Sequence, residues 1–339
     1  MRKLATIRDI GVILPIPGAD AIEAAVIGGW RVVIRKGDYQ VGDRVIYCEI
    51  DSWIPHERAP FLSKGKEPSE YEGIKGERLR TVKLRGQVSQ GLLLPLRNLT
   101  NYGADLSVGD DVTEQLGILK WEAPVPANLS GDAVGLFPIF IPKTDQERIQ
   151  NLTNELHDWS MKENTWEVTE KLDGSSMTVF VNGDESGVCS RNLQLKESEG
   201  NSLWMVTNRE SLIEKIKMTR RNLALQGEII GEGIQGNSYK LRGQDFFLFD
   251  VYDIDERRYL SPWERRTLAD KLCIKHVPVI KTNFALESAL SQDIVYMAEG
   301  KSSMCEVDPP EREGIVFKRD DSEASFKAIS NKFLMKNGV

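Results

Sequence analysis

Glu170-Lys171-Leu172-Asp173-Gly174-Ser175-Ser176 is the stretch on which the reading of this chain turns. Positions 166–170 before it (Trp-Glu-Val-Thr-Glu) and 177–181 after it (Met-Thr-Val-Phe-Val) are strand-like. One strand therefore ends at the lysine, and a second begins past the glycine. That arrangement puts the Lys171 amine and the Asp173 carboxylate on one side of the turn. An amine attacks only when unprotonated, and a free lysine holds its proton up to about pH 10.4. Nearby cations or a bound metal lower that value and turn lysine into a nucleophile. Taken alone, the string also reads as a plain charged turn between strands.

Outward from this turn the pattern is mixed. Residues 246–251 and 314–318 are strand-like and alternate with helical stretches. A helix starts at Ser261, with Pro262 in its first turn and Glu264 completing a capping box. Thr144 and Glu147 form a second such box, opening a helix with Ile149, Leu152 and Leu156 on one face. Upstream, residues 126–142 carry Pro126, Gly131, Gly135 and Pro138 and read as a linker. The first third holds short β-branched runs at 31–34, 44–47, 80–84 and 92–94, separated by glycine-rich turns, as in a small barrel or sandwich. Val-Gly-Asp-x-Val occurs at 41–45 and again at 108–112, a turn feeding a strand and too weak an echo to be a repeat. The expected organisation is an all-β domain over 1–125, a linker over 126–142 and an α+β domain over 143–339.

Composition excludes some classes. The 339 residues have an ordinary apolar content and no apolar run long enough to cross a bilayer. Met1, Arg2 and Lys3 lead into an apolar–polar alternation, unlike a signal peptide, so a soluble intracellular protein without a membrane partner is expected. Cys48, Cys189, Cys273 and Cys305 stand far apart, unlike a zinc site or redox pair, and each reads as a buried structural thiol. Three histidines, His56, His157 and His276, are too few for a histidine-rich metal site. The net charge of −7 argues against binding nucleic acid over the whole surface but leaves room for a local basic groove.

After the lysine turn come, in order, Ser190-Arg191-Asn192, then Gln226-Gly227-Glu228-Ile229-Ile230-Gly231-Glu232-Gly233, then Phe246-Phe247-Leu248-Phe249-Asp250-Val251-Tyr252-Asp253. Glu313-Gly314-Ile315-Val316-Phe317-Lys318 and Ser325-Phe326-Lys327-Ala328-Ile329-Ser330 complete the set. This series resembles the covalent nucleotidyltransferases, the superfamily of polynucleotide ligases and mRNA capping enzymes. It most resembles the Naegleria-type RNA ligases, over the whole chain. The resemblance implies an α+β nucleotidyltransferase domain (an ATP-grasp-like ligase domain) of antiparallel sheets and helices.

It also implies roles. Lys171 would take AMP from ATP. Asp173, Glu228 and Glu313 would hold Mg²⁺ or Mn²⁺ on the α-phosphate, largely through water. Lys318 and Lys327 would contact phosphate oxygens and help keep Lys171 unprotonated. Phe249 would stack on adenine, Arg191 and Asn192 would face ribose or RNA, Glu228 would also reach the ribose, and Glu170 would line the nucleotide site. Each has a plainer reading: Phe249 as core, Arg191-Asn192 as an exposed turn, the acids as surface charges. One position departs from the pattern. Related ligases often carry a second lysine two places after the one matching Lys327, where this chain has Ile329; Lys332 lies nearby.

DNA ligases and capping enzymes place an OB-fold after the last motif, and too few residues follow Lys327 here for another domain. The N-terminal third itself resembles OB-fold modules that bind tRNA, through Gly18-Ala19-Asp20, Gly42-Asp43 and Ile50-Asp51-Ser52. Its basic stretch, Lys75, Arg78, Arg80, Lys83 and Arg85, is the candidate for phosphate contact, with a charged, solvated edge strand as the alternative. The expected activity is ATP-dependent joining of RNA 3′-hydroxyl and 5′-phosphate ends by a monomer. A DNA ligase, a GTP-using capping enzyme and an inactive nucleic-acid-binding protein are the rivals.

Overall fold

The computed structural model describes residues 2–100, 106–123, 129, 132–286 and 291–337. The chain divides into two compact units, Met1–Ala123 with Leu334–Val339, and Pro124–Phe333.

The first unit is built on period-two alternation. In the strand Trp30–Arg35, Trp30, Val32 and Ile34 are buried while the residues between them are part-exposed. That strand pairs antiparallel with Ile22–Ile27, which pairs with Val12–Pro15. Arg44–Cys48 lies between Ala5–Asp9 and Leu92–Pro95, and the core gathers Ala5, Ile7, Ile46, Cys48, Ile54 and Leu94. Of the expected strand at 80–84, only Val82–Leu84 forms. It makes a hairpin with Gln87–Ser89, closed by Arg85 and Gly86 at φ 48° and 86°. A two-residue turn of this hand matches the twist of its strands.

The second unit carries two larger sheets. In the seven-stranded sheet, Ser175–Asn182, Leu223–Gly231 and Gln244–Asp253 are antiparallel neighbours. One face buries Met177, Val179, Leu225, Ile229 and Leu248 against Leu203, Val206, Leu212 and Ile216 of the helices Ser202–Glu210 and Leu212–Met218. In the five-stranded sheet, Thr165–Lys171 pairs with Gly314–Arg319, which pairs with Ser325–Ile329. Trp166, Val168, Ile315, Phe317 and Phe326 fill the core on one face. Alternation then sends Glu167, Thr169, Lys171, Lys318 and Lys327 to the other face, where Lys318 reaches Asp250 of the larger sheet. The site lies between these two polar faces.

The helix Pro262–Leu272 starts with the expected Ser261–Glu264 capping box. The start expected at Thr144 does not form. Glu147–Arg148 is a short strand parallel to Ser325–Ile329, a 3₁₀ turn covers Ile149–Asn151, and the helix runs Thr153–Ser160. Glu147 cannot cap because its Oε1 accepts from the Arg148 and Asn151 nitrogens (2.7 and 3.0 Å). Within the expected linker, Ala133–Leu136 is a strand beside Leu193–Leu195; residues 126–128, 130 and 131 of that linker lie outside the described ones. Cys48 and Cys189 are buried as expected and Cys305 is half-buried. Cys273 is exposed, set outward by the left-handed cap of its helix (φ 50°).

Candidate active site

Lys171 ends its strand opposite Gly314, so Glu313 arrives beside it. A Cβ at Gly314 would lie 2.3 Å from the Ala328 carbonyl oxygen, which is why only glycine fits after Glu313. Gly174 is equally confined: a Cβ there would stand 2.4 Å from the Ile229 oxygen and 2.8 Å from Glu228 Cγ. The turn is pinned by the backbone N–H of Asp173, which donates to the buried Tyr239 hydroxyl at 2.7 Å. The outcome is a lysine Nζ 2.7 Å from Glu313 Oε1, while buried Glu313 Oε2 has no hydrogen-bond partner among the described residues.

The charge balance of this cluster is uneven. Burial, reinforced by Glu313 and opposed by Lys171, pushes the Asp173 carboxyl up to about 7. Burial pushes Glu228 up to about 8; Lys171 opposes this, and Glu313 and Asp173 add to it. Burial by itself draws the Lys171 ammonium down, but Glu313, Glu228 and Asp173 outweigh it and hold the amine above its ordinary value. The nearest charges to Lys171 are therefore carboxylates, not the cations expected from the sequence. An excess of carboxylates with an orphaned oxygen fits a divalent cation. Among the described residues no three side chains converge tightly enough to ligate one directly. These acids would therefore hold an ion through its waters, as Mg²⁺ in particular favours.

Strand register separates the two lysines assigned to phosphate. At about 3.3 Å per residue, Lys327, opposite Val316, lies roughly 7 Å along the sheet from the Lys171–Gly314 pair. Lys318 lies roughly 13 Å along it, at the same rise per residue. Its ammonium is engaged by Asp250 Oδ1 (2.6 Å) and the Phe249 carbonyl (2.5 Å), 5.4 Å from the Phe249 ring centroid. Burial lowers Lys318 to about 8 although Asp250 pulls the other way. Its ammonium lies against the aromatic and the Asp250 carboxylate.

Phe249 reaches the site through a β-bulge. Gln226 pairs with Asp250 and Gly227 with Leu248, skipping Phe249. The extra residue re-aims its side chain. Phe249 packs with Leu172, Tyr239 and Phe247, while Leu248 and Val251 stay in the helix-covered core. Arg191 stands 3.4 Å from Asp145 Oδ2, and Lys327 stands 3.1 Å from Asp145 Oδ1. Asn192 Oδ1 accepts from Lys143 Nζ at 3.0 Å. Glu170 does not line the site with its side chain. Alternation turns it to the opposite face from Lys171, where it accepts from the Ser302 hydroxyl (2.5 Å), the Ser303 hydroxyl (2.6 Å) and the Ser303 N–H (2.9 Å).

Sequence reasoning missed a second charged group on the same sheet face. Arg265, wholly buried, pairs with Glu167, which also pairs with Arg266, and lies 3.7 Å from Asp250. Arg265 Nε donates to His276 Nε2 at 3.0 Å, and His276 Nδ1 donates to the Val277 carbonyl at 2.6 Å. Burial, then Arg265, pushes His276 down to about 3, so it stays neutral. A charge at position 167, between the core residues Trp166 and Val168, was the one available signal. Tyr239 and Asp145 gave none.

The basic residues of the first unit divide. Lys75 pairs with Glu67 at 2.7 Å. Arg78 pairs with Asp51 at 2.6 Å and lies over the Trp121 ring at 3.6 Å. Arg80, Lys83 and Arg85 are exposed on and beside the hairpin.

The RNA ligase family model matches residues 164–329, and a family model for an OB-fold domain matches residues 4–96. Among solved structures, a ligand-free point mutant of Naegleria gruberi RNA ligase is 50% identical over 99% of this chain and 98% of that one, with TM-score 0.93. A point mutant of the same enzyme with ATP and Mn is 51% identical over 98% of each chain, with TM-score 0.92. The Naegleria gruberi enzyme with PPi is 51% identical over 100% of this chain and 99% of that one, with TM-score 0.93. No curated protein sequence matches.

Proposed function

The chain belongs to the RNA ligase family, of Naegleria type, and on that premise we propose that it joins RNA ends through an AMP carried on Lys171. The observation that carries this reading is the Lys171 amine, 2.7 Å from Glu313 and within the field of Glu228 and Asp173. Lys171 Nζ attacks the α-phosphorus of ATP, an N–P bond forms, and the bond to pyrophosphate breaks. The AMP then passes to an RNA 5′-phosphate, and the 3′-hydroxyl of the other end displaces it. A relative holding ATP and Mn, and another holding PPi, support this choice of substrates.

Mg²⁺ or Mn²⁺, held through water by Asp173, Glu228 and Glu313, supplies neutralising charge at the α-phosphate. With these carboxylates neutralised, the main reason for Lys171 to keep its proton is gone. Lys327 offers its ammonium to the phosphate, Phe249 stacks on adenine, and Arg191 and Asn192 face the ribose or RNA. Glu170 acts at one remove, tying the loop with Ser302 and Ser303 to the nucleophile's strand. Arg80, Lys83 and Arg85 meet RNA phosphates, and the enzyme works inside the cell as a monomer with its domains at 1–125 and 143–339. Among the described residues no helix is long and apolar enough to cross a membrane.

Incubation with α-labelled ATP and Mn²⁺, followed by denaturation, leaves label on the protein and none on Lys171→Ala. Absence of label on the unaltered enzyme overturns the reading. GTP in place of ATP, and DNA nicks in place of RNA nicks, test the nucleotide and strand preference.

A further inference from the structure

Two of the cations assigned to the nucleotide are already bridged by one carboxylate. Asp145 Oδ1 is 3.1 Å from Lys327 Nζ, and Asp145 Oδ2 is 3.4 Å from Arg191 Nη2. Those residues come from different sheets: Lys327 from the strand Ser325–Ile329, Arg191 from the turn after Glu185–Cys189. Asp145 belongs to neither sheet. It lies in the irregular segment before the strand Glu147–Arg148, and its carboxylate is 38% exposed. A cavity of about 160 Å³ opens beside it, lined by Lys143, Thr144, Tyr259, Lys318 and Ser325. An anion on an irregular segment, shared by two cations on fixed strands, sits as a phosphate or ribose oxygen would sit.

We propose that Asp145 is an internal competitor for the nucleotide, occupying Lys327 and Arg191 in the empty enzyme and retaking them as AMP leaves. The proposal rests on the reading of Lys327 and Arg191 as nucleotide contacts. Its consequence is a trade: weaker hold on nucleotide in exchange for faster release. A charged side chain that must be displaced subtracts from the affinity of whatever displaces it. Partly exposed ion pairs are individually weak, so loss of this pair of contacts is worth about threefold to tenfold in affinity.

The test uses the full chain, stripped of AMP with pyrophosphate, and AMP with Mn²⁺ as the probe. Equilibrium binding is measured for the unaltered enzyme, Asp145→Asn, Asp145→Ala, Lys327→Ala, Arg191→Ala and the Asp145→Asn/Lys327→Ala pair. Both Asp145 variants tighten AMP by about threefold to tenfold, inhibition by AMP in multiple-turnover joining rises in step, and the gain shrinks when Lys327 is absent. Two variants at a partly exposed position guard against a simple folding failure. If Lys327→Ala and Arg191→Ala leave AMP binding unchanged, the nucleotide-contact reading itself fails. If they weaken it while the Asp145 variants bind AMP as tightly as, or less tightly than, the unaltered enzyme, the competitor role alone is overturned.

Discussion

Two ion clusters share one face of the five-stranded sheet, and they differ in whether their carboxylates are all taken. Around Arg265 both carboxylates are taken: Glu167 holds Arg265 and Arg266, and Asp250 holds Lys318, while Arg265 Nη1 stands 3.7 Å from Asp250 without a hydrogen bond among the described residues. Around Lys171, Asp173, Glu228 and Glu313 share one amine, two of the acids are pushed up to about 7 and about 8, and a buried oxygen is left over. A buried network whose carboxylates are all taken by cations fixes structure, whereas one with spare carboxylates stores a demand for a cation, and functional sites gather where such demands persist. The sealed cluster also holds Lys318 against Phe249.

The sharpest way to break the comparison is Lys171→Ala, which removes the AMP adduct and lowers joining by at least about a thousandfold. The intact-protein mass checks it, with no change in thermal midpoint beyond a few degrees. In the sealed cluster the effect falls on stability instead. Glu167→Gln leaves Arg265 without its buried countercharge and costs about 3–5 kcal/mol, read from denaturant unfolding. Were that variant as stable as the parent, the two clusters would not differ as described.

Glu313→Gln should lower adenylylation at limiting Mn²⁺ by about 10- to 100-fold while leaving unfolding nearly untouched. A pH titration tells the clusters apart more gently. The raised carboxyls of Asp173 and Glu228 stabilise the metal-free fold while protonated, below the ordinary carboxylate range. That contribution is lost as pH rises toward about 7 and about 8. The metal-free enzyme should therefore lose stability between about pH 5 and 8, added Mn²⁺ should restore it, and Glu228→Gln should flatten the slope. The smallest effect belongs to the first unit. Reversing charge at Arg80 and Lys83 should weaken RNA binding several-fold and reduce its salt dependence, with lysyl-AMP formation unchanged; retained RNA affinity would send the search elsewhere.

How much of this was legible depended on distance along the chain. Strands near the motifs could be read because alternation is local: the runs at 166–170 and 314–318 became Thr165–Lys171 and Gly314–Arg319. The Ser261 cap was legible for the same reason, its partner being three residues away. The helix start at Thr144 failed because a parallel pairing with a strand far downstream claimed Glu147–Arg148 first. Lys75 and Arg78 read as RNA contacts along the chain, and only folding brings Glu67, Asp51 and Trp121 beside them. A basic residue in sequence carries no label saying whether its countercharge is a phosphate or a neighbour.

What the sequence determined by itself was the candidate nucleophile, the order of the motifs and the strand-like runs that carry them. Those depend on residue identity and on the two-residue strand period, both written along the chain. Only the tertiary structure decided that Phe249 turns into the site at a bulge, that Glu170 turns away, and that Arg265 closes on Glu167 and Lys327 on Asp145. The last two contacts span 98 and 182 residues. Pairings at that range are chosen by how whole sheets pack and by which charges burial forces to find partners.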